Sequence, residues 1–281
     1  MKSLVILALV FAAAQARPEP AESVVSHSDA FPIRMVIDEI EGAPKYPAAR
    51  VINGVQASRG QFPYQAAVYA GSGFCGGSLI SPRWVLTAAH CAWGIFSFTV
   101  HLGAQAISDA QEAGRVVVST RSKNVHSGYT VLLPANDVAV IDLKQDVPLS
   151  DLIQPIVLAT GSDLFVGAAA RVSGWGKTSD ASNSISAQLN YADLTVITNA
   201  ECRKTFGLLN VRSSNICTLG SDGRSSCNGD SGGPLIDLAS GRQIGIVSYG
   251  SSAGCESGSP NGFARVTSFT DWISEKTGLA L

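Results

Sequence analysis

The chain has few charged residues and no excess of positive charge. Its 281 residues include 20 Lys or Arg and 22 Asp or Glu, and the formal net charge is −2. Because nucleic acids and anionic membranes bind proteins through clusters of basic residues, neither is predicted as a partner. Charged residues make up only 15% of the chain, which favours an all-β protein with many turns over one built from long helices.

Long apolar runs are also missing. One apolar run, residues 4–14, follows Lys2 and falls well short of the ~20 residues that a membrane-spanning helix needs. It ends in the small-residue pattern Ala14-Gln15-Ala16, which predicts a secretory signal peptide comprising residues 1–16. We therefore expect a secreted, extracellular protein that is not anchored in a membrane.

The sequence lacks the spacings that are typical of metal sites. Six cysteines and four histidines are present, but there is no CxxC pair and no cluster of histidines. In a secreted chain, six cysteines indicate disulfides instead, and fifteen pairings are possible. No Asn-x-Ser/Thr acceptor occurs either, so N-glycosylation is not predicted.

Short strand-like runs separated by turn residues dominate the chain from residue 51 onwards. Five examples are residues 77–80, 84–87, 138–143, 170–173 and 243–249. Regular short strands of this kind predict a barrel or a sandwich, and they disfavour parallel βαβ units. Near the end of the chain, Phe269, Trp272 and Ile273 share one face at helical spacing, which predicts a terminal amphipathic helix.

The composition changes at residue 50. Residues 17–50 contain several prolines, are mildly acidic and have no cysteine, and we interpret them as a propeptide. Arg50 alone would be an ordinary exposed arginine, but the apolar pair Val51-Ile52 follows it directly. Residues 51–281 are long enough for two small barrels or for one larger all-β domain.

Three short motifs contain the parts of a nucleophilic site. Ser231 lies in the run Cys-Asn-Gly-Asp-Ser-Gly-Gly-Pro (residues 227–234), where small neighbours leave its hydroxyl accessible. His90, in Thr-Ala-Ala-His-Cys (87–91), is a candidate general base, and Asp137, in Asn-Asp-Val-Ala (136–139), is a carboxylate that could orient it. Serine needs a base within hydrogen-bond reach, and that base needs a third group that fixes its tautomer. Each motif alone also occurs as ordinary structure, but the three together predict nucleophilic catalysis.

With His90, Asp137 and Ser231 in this order, residues 51–281 resemble the trypsin/chymotrypsin-like serine proteases. Residues 254–263 are similar to those of arthropod chymotrypsins and their collagenase-like relatives. The resemblance implies an all-β fold of two antiparallel six-stranded barrels and a C-terminal helix, with the active site in the cleft between the barrels. It implies that His90 and Asp137 come from the first barrel and Ser231 from the second. It also implies three local disulfides, which are Cys75–Cys91, Cys202–Cys217 and Cys227–Cys255.

The resemblance assigns roles to the other site residues. The backbone N–H groups of Gly229 and Ser231 are expected to form the oxyanion hole, and a side chain at position 229 would hinder the approach of the substrate carbonyl. Ser248, Tyr249 and Gly250 resemble the extended segment that pairs with the substrate backbone, although the family usually has Trp where this chain has Tyr249. Residues 101–112 contain only two carboxylates, Asp109 and Glu112, and two carboxylates are too few for a calcium site. No metal and no cofactor is predicted.

The expected specificity depends on the primary pocket. The resemblance places Ser225 at its floor, and without a carboxylate there a preference for Lys or Arg is disfavoured, since a buried cation needs a paired charge. Gly250 leaves the mouth open to large side chains, whereas Asn261, where chymotrypsin has Gly, predicts a shallower and more polar floor. We expect a chymotrypsin-like endopeptidase that acts on proteins and peptides. The alternatives are an elastase-like or collagenolytic protease on the same fold, or a non-catalytic homologue.

The resemblance also implies a zymogen. Cleavage after Arg50 would give Val51 a free α-amino group, and Asp230 is the matching carboxylate. Because the pocket at Ser225 has no acid while the activation bond follows an arginine, a separate trypsin-like protease is the expected activator. The activated protein is expected to be a monomeric digestive enzyme, and its expected location is the gut lumen.

Overall fold

The computed structural model describes residues 30–32, 35–36, 51–131 and 134–281. The predicted signal peptide, most of the predicted propeptide and Arg50 lie outside the described residues. The strands are β1 Ala30–Pro32, β2 Met35–Val36, β3 Val55–Gln56, β4 Gln65–Ala70, β5 Gly73–Leu79, β6 Trp84–Thr87, β7 Phe98–Leu102, β8 Val116–Thr120, β9 Ser122–Val125, β10 Ala139–Asp142, β11 Ala169–Gly174, β12 Asn190–Ile197, β13 Asn215–Leu219, β14 Pro234–Asp237, β15 Gln243–Ser251 and β16 Asn261–Arg265. The helices are α1 Ala89–Ala92, α2 Asn199–Phe206 and α3 Thr270–Thr277. Across these described ranges, no helix is both long enough and apolar enough to cross a bilayer.

The first half of the fold is a barrel-like antiparallel sheet with the order β8-β7-β4-β5-β6-β10-β9. Only Arg121 separates β8 from β9, so one stretch of chain pairs with β7 through its first part and with β10 through its second. The two ends of the sheet are thereby brought together. In β7, Phe98, Val100 and Leu102 are buried while the residues between them are not, as a strand with one face on a core requires.

The second half closes through backbone pairing. Its strands follow the order β15-β14-β11-β12-β13-β16, and β16 pairs back with β15. The alternation recurs in β12, where Ala192, Leu194 and Val196 point into the second core. The predicted all-β fold with two six-stranded barrels is confirmed, with β8 and β9 counted as one bent strand.

The predicted C-terminal helix is confirmed, and it is shifted towards the end of the chain. Residues 266–268 form a 3-10 turn, and α3 begins at Thr270. Phe269 and Ile273 are buried in the core of the first barrel, with Trp272 packed against its edge. The chain therefore leaves the second barrel and ends on the first.

The three predicted disulfides, Cys75–Cys91, Cys202–Cys217 and Cys227–Cys255, are all present. The first joins β5 to α1, the short helix that contains His90. Loops of this length gain about 3 kcal/mol of stability from closure. The position of α1 on the barrel is thus fixed covalently.

Candidate active site

His90, Asp137 and Ser231 come from three separate segments. His90 lies on α1 directly after β6, Asp137 lies in the loop before β10, and Ser231 lies in the turn before β14. Asn136 adopts a left-handed backbone (φ 52°), a conformation that asparagine tolerates better than most residues, and its amide donates to the Gly128 carbonyl at 2.8 Å. This turn presents Asp137 to α1.

The Asp137 carboxylate holds His90 at two points. Its Oδ2 lies 2.8 Å from Nδ1 of His90, and its Oδ1 accepts the backbone N–H of His90 at 2.8 Å. The Ser248 hydroxyl also donates to Oδ2, at 2.6 Å. Burial alone would raise the pKa of Asp137, but the charge of His90 and the hydrogen bonds from His90 and Ser248 lower it below its usual value. Because an ionised carboxylate only accepts, Nδ1 carries the proton and Nε2 is left as the acceptor.

The Ser231 turn is packed against the segment that contains His90. A Cβ on Gly232 would lie 2.2 Å from the Thr87 hydroxyl, and the Ser231 carbonyl accepts the N–H of Gly76 in β5 at 2.7 Å. Oγ of Ser231 and Nε2 of His90 are both buried, and neither has a hydrogen-bond partner among the described residues. The expected Ser231–His90 hydrogen bond is therefore not formed in this structure.

Two backbone N–H groups of the Ser231 turn have no acceptor among the described residues. Within the part of the chain that the structure describes, the amides of Gly229 and Ser231 donate to no acceptor, whereas those of Asp230, Gly232 and Gly233 all do. The structure gives a further reason for glycine at position 229, besides the approach of the substrate carbonyl expected from the sequence. Its φ is 99°, and a Cβ there would lie 2.7 Å from the Ile185 side chain, so the backbone and its packing require glycine before any substrate approaches.

Asp230 is a fully buried carboxylate. Its oxygens accept the N–H groups of Gly176 at 2.8 Å and Cys227 at 2.9 Å. A Cβ on Gly174 or Gly176 would lie 2.1 or 2.4 Å from these oxygens, so both glycines are needed to enclose the carboxylate. Burial raises the pKa of Asp230 to about 7, against the opposing effect of the two hydrogen bonds. Val51 is fully buried as well, and no cationic side chain of the described residues pairs with Asp230.

This raised pKa predicts a pH dependence of stability in the uncut chain. Between about pH 4 and pH 7 the Asp230 carboxyl is protonated when folded and ionised when unfolded. The free energy of unfolding should therefore fall as the pH rises through this window, by about 4 kcal/mol from this group. We expect urea unfolding of full-length Ser231→Ala to show the decline and the Asp230→Asn derivative of that chain to lack it. Identical slopes in the two proteins would contradict the buried, unpaired carboxylate.

Ser225 and Asn261, two of the residues expected at the primary pocket, both form hydrogen bonds with Ser226. Oδ1 of Asn261 accepts the backbone N–H of Ser226 at 3.1 Å, and the Ser225 hydroxyl donates to the Ser226 carbonyl at 2.7 Å. The amide oxygen of Asn261 is thus satisfied by the protein. The hydroxyl of Ser226, which sequence reasoning did not select, is buried and has no partner among the described residues.

Ser248, Tyr249 and Gly250 lie consecutively in β15, and the side chains of Ser248 and Tyr249 face different partners. The Ser248 hydroxyl donates to Asp137. The sequence did not suggest this interaction, because the two residues are 111 positions apart. The Tyr249 ring is fully buried against Phe206, and its hydroxyl donates to the Asn210 carbonyl at 3.2 Å. The backbone of residues 249–251 pairs with β1, a strand from the predicted propeptide.

Glu112, one of the two carboxylates considered for a cation, is bound by arginines. It forms ion pairs with Arg59 and with Arg115 and accepts the backbone N–H groups of Gln105 and Ala106. Burial would raise its pKa, but the hydrogen bonds from Arg115 and the two amides lower it. Its charge is neutralised within the chain.

Residues 51–273 match the family profile described as Trypsin. The chain belongs to the trypsin family. Among its trypsin-family relatives are brachyurin from Leptuca pugilator, which is 42% identical over 82% of this chain and 99% of its own length, and collagenase from Hypoderma lineatum, which is 39% identical over 99% of both chains. A solved structure of HL collagenase superimposes with a TM-score of 0.75 at 40% identity, covering 82% of this chain and all of its own. Chymotrypsin-2 from Vespa crabro is 39% identical over 80% of this chain and 99% of its own length. The expected arthropod chymotrypsin and collagenase relatives are confirmed, and so is the enzyme class, a serine endopeptidase.

Proposed function

We propose that this protein is a secreted chymotrypsin-like endopeptidase that is made as a zymogen and cleaves peptide bonds through an acyl-enzyme. The observation that carries the proposal is the buried Asp137–His90 pair, which leaves Nε2 as an acceptor beside the Ser231 turn. The unused amides of Gly229 and Ser231 add to this support. The three disulfides support secretion, because such bonds persist outside the cytosol.

Each atom of the site has a place in the reaction. Ser231 Oγ attacks the substrate carbonyl carbon while His90 Nε2 takes its proton, and the negative oxygen that results is bound by the amides of Gly229 and Ser231. His90 then gives the proton to the leaving amine as the C–N bond breaks. A water molecule, deprotonated by the same nitrogen, then attacks the acyl carbon, the ester bond to Ser231 Oγ breaks, and His90 returns the proton to that oxygen. Asp137 stabilises the charged imidazole in both halves of the reaction.

An active-site probe tests this proposal directly. After trypsin treatment, a fluorophosphonate should label Ser231 in the wild-type protein and not in Ser231→Ala. Ser248→Ala is a second comparison, because it removes one hydrogen bond to Asp137 while keeping the nucleophile. Absence of labelling in the trypsin-treated wild type would favour the alternative, a non-catalytic binding protein of this fold.

The proposed specificity is for large apolar or aromatic residues before the scissile bond. Ser225 supplies a hydroxyl and no charge at the pocket floor, and Gly250 has no side chain to narrow the mouth. The similarity to collagenase supports a second candidate within the same chemistry, a collagenolytic endopeptidase. Profiling of peptide-library cleavage, followed by incubation with native collagen, separates the two.

Asn261 provides a sharper test of the pocket. Asn261→Gly removes side-chain volume at the proposed floor, so kcat/KM should rise more for Tyr or Trp substrates than for Leu substrates. The change in the ratio of the two values should correspond to about 1–3 kcal/mol of transition-state binding energy. Matched peptide anilides that differ only in the residue before the cut measure this ratio. Asn183→Gly, at an exposed position, is the control and should leave the ratio unchanged. An unchanged ratio in Asn261→Gly would mean that the side chain lies outside the volume that substrates fill.

A further inference from the structure

A strand from the predicted propeptide is paired with the proposed substrate-binding segment. β1 runs antiparallel to the end of β15, with Ala30 opposite Ser251, Phe31 opposite Gly250 and Pro32 opposite Tyr249. Tyr249 also pairs with Gly262 on the other side, so its free side is the one that faces β1. An unpaired strand edge is a template for another extended chain.

A second propeptide strand pairs with the other barrel. β2 runs antiparallel to the start of β5, with Met35 opposite Phe74 and Val36 opposite Gly73. Only residues 33 and 34 separate β1 from β2 along the chain. The same short stretch of propeptide therefore pairs with one strand of each barrel.

The Ser231 turn lies between these two pairings. Its carbonyl accepts the N–H of Gly76, two residues beyond Phe74 in β5, and the N–H of Gly232 donates to Val247 in β15 at 2.8 Å. β1 and β2 thus meet the protein on either side of the candidate nucleophile. In the full chain the nucleophile is enclosed, since Ser231 is 0% exposed and His90 is 6% exposed.

The sequence of β1 fits this pairing. In antiparallel strands, alternate residue pairs exchange both backbone hydrogen bonds. Pro32 has no N–H, so the pair best able to exchange two bonds is Phe31 with Gly250. Proline is tolerated on an edge strand where its missing donor would face away from the neighbouring strand. With Phe31 and Gly250 as the exchanging pair, the N–H of Ala30, one residue earlier, also points away from β15.

We propose that residues 30–32 and 35–36 occupy the substrate cleft as substrate-like strands, so that the propeptide is an inhibitor of the enzyme as well as the segment removed on activation. This inference rests on the proposed function. The described disulfides all lie within residues 51–281 and residues 17–50 contain no cysteine, so no disulfide can retain the propeptide after cleavage. Inhibition by the released segment is therefore reversible and depends on its concentration.

The first test needs no catalysis. Hydrogen exchange is measured on full-length Ser231→Ala and on the same chain with Phe31→Pro or Ala30→Pro. Phe31→Pro removes a donor from the exchanging pair, and the amides of residues 73–74 and 248–251 should then exchange roughly tenfold faster. Ala30→Pro, whose lost N–H faces away from β15, should leave their rates unchanged. Equal rates in all three proteins would overturn the proposal, whatever the protein's activity.

The second test uses the trypsin-activated enzyme. A synthetic peptide of residues 17–50 should inhibit hydrolysis of a small anilide competitively, and Phe31→Pro in the peptide should raise its inhibition constant roughly tenfold while Ala30→Pro should not. Cleavage of the peptide between residues 32 and 35 by the enzyme would equally place it in the cleft. A peptide that neither inhibits nor is cut, tested on enzyme that the fluorophosphonate labels, would refute the inhibitor proposal and leave the proposed function intact.

Discussion

Asp137→Asn should lower kcat by a factor on the order of 10⁴, the size that this exchange has in a Ser-His-Asp triad. In the wild type, Asp137 accepts from the backbone and the ring of His90 and from the Ser248 hydroxyl, and no donor is required of it. An asparagine has one oxygen in place of two, and its NH₂ group would face one of these donors. The ring can relieve the conflict by moving its proton to Nε2, and in that tautomer it cannot take the proton of Ser231.

The measurement is the steady-state rate on a peptide anilide after trypsin activation. Asp109→Asn is the matched control, because Asp109 is exposed and caps only a local turn through the N–H of Gln111. The control should retain wild-type activity. If Asp137→Asn lost less than tenfold while still folded, the Asp137–His90 pair would be structural and the proposed mechanism wrong.

The full-length chain should have ~10²- to 10³-fold less activity than the chain cut between Arg50 and Val51. In the uncut chain the nitrogen of Val51 belongs to a peptide bond and has no charge, so the buried Asp230 carboxylate lacks a cation. Leaving one partner of a buried pair uncompensated costs about 3–5 kcal/mol, and this cost falls on the turn that contains Gly229 and Ser231. Cleavage creates an ammonium group at Val51, which can neutralise the carboxylate.

N-terminal sequencing of the active protein should read Val-Ile-Asn-Gly. Purified full-length protein should stay inactive on storage and gain activity only when trypsin is added, because the proposed pocket, with Ser225 and no acid at its floor, should bind arginine poorly. Asp230→Asn should be cut by trypsin as readily as the wild type and yet gain little activity. Spontaneous activation that accelerates with protein concentration, with trypsin absent, would contradict the proposed pocket.

Local sequence predicted those parts of the site that depend on residue type and on short motifs. His90, Asp137 and Ser231 could be selected because serine chemistry needs a base and an orienting acid, and the strands could be recognised from their turns and apolar runs. The family resemblance supplied the disulfide pairing, which cysteine spacing alone left open among fifteen possibilities.

Features that depend on contacts between distant segments could not be predicted in this way. The hydrogen bond from Ser248 to Asp137 joins residues 111 positions apart. Asn261 is opposite Ser226 only because β16 and the turn before Ser231 meet in the folded protein. The pairing of β1 and β2 with two different barrels left no pattern in the sequence, since both strands are too short to show an alternation.

The course of α3 makes catalysis depend on the far end of the chain. The proposed nucleophile, Ser231, belongs to one barrel and the proposed base, His90, to the other, so the distance between them is set by how the two barrels are held together. Phe269 and Ile273 anchor the end of the chain that leaves the second barrel in the core of the first. A carboxypeptidase that trimmed the chain as far as this anchor would loosen the seam between the barrels, and the enzyme would lose turnover with every atom of its active site still present.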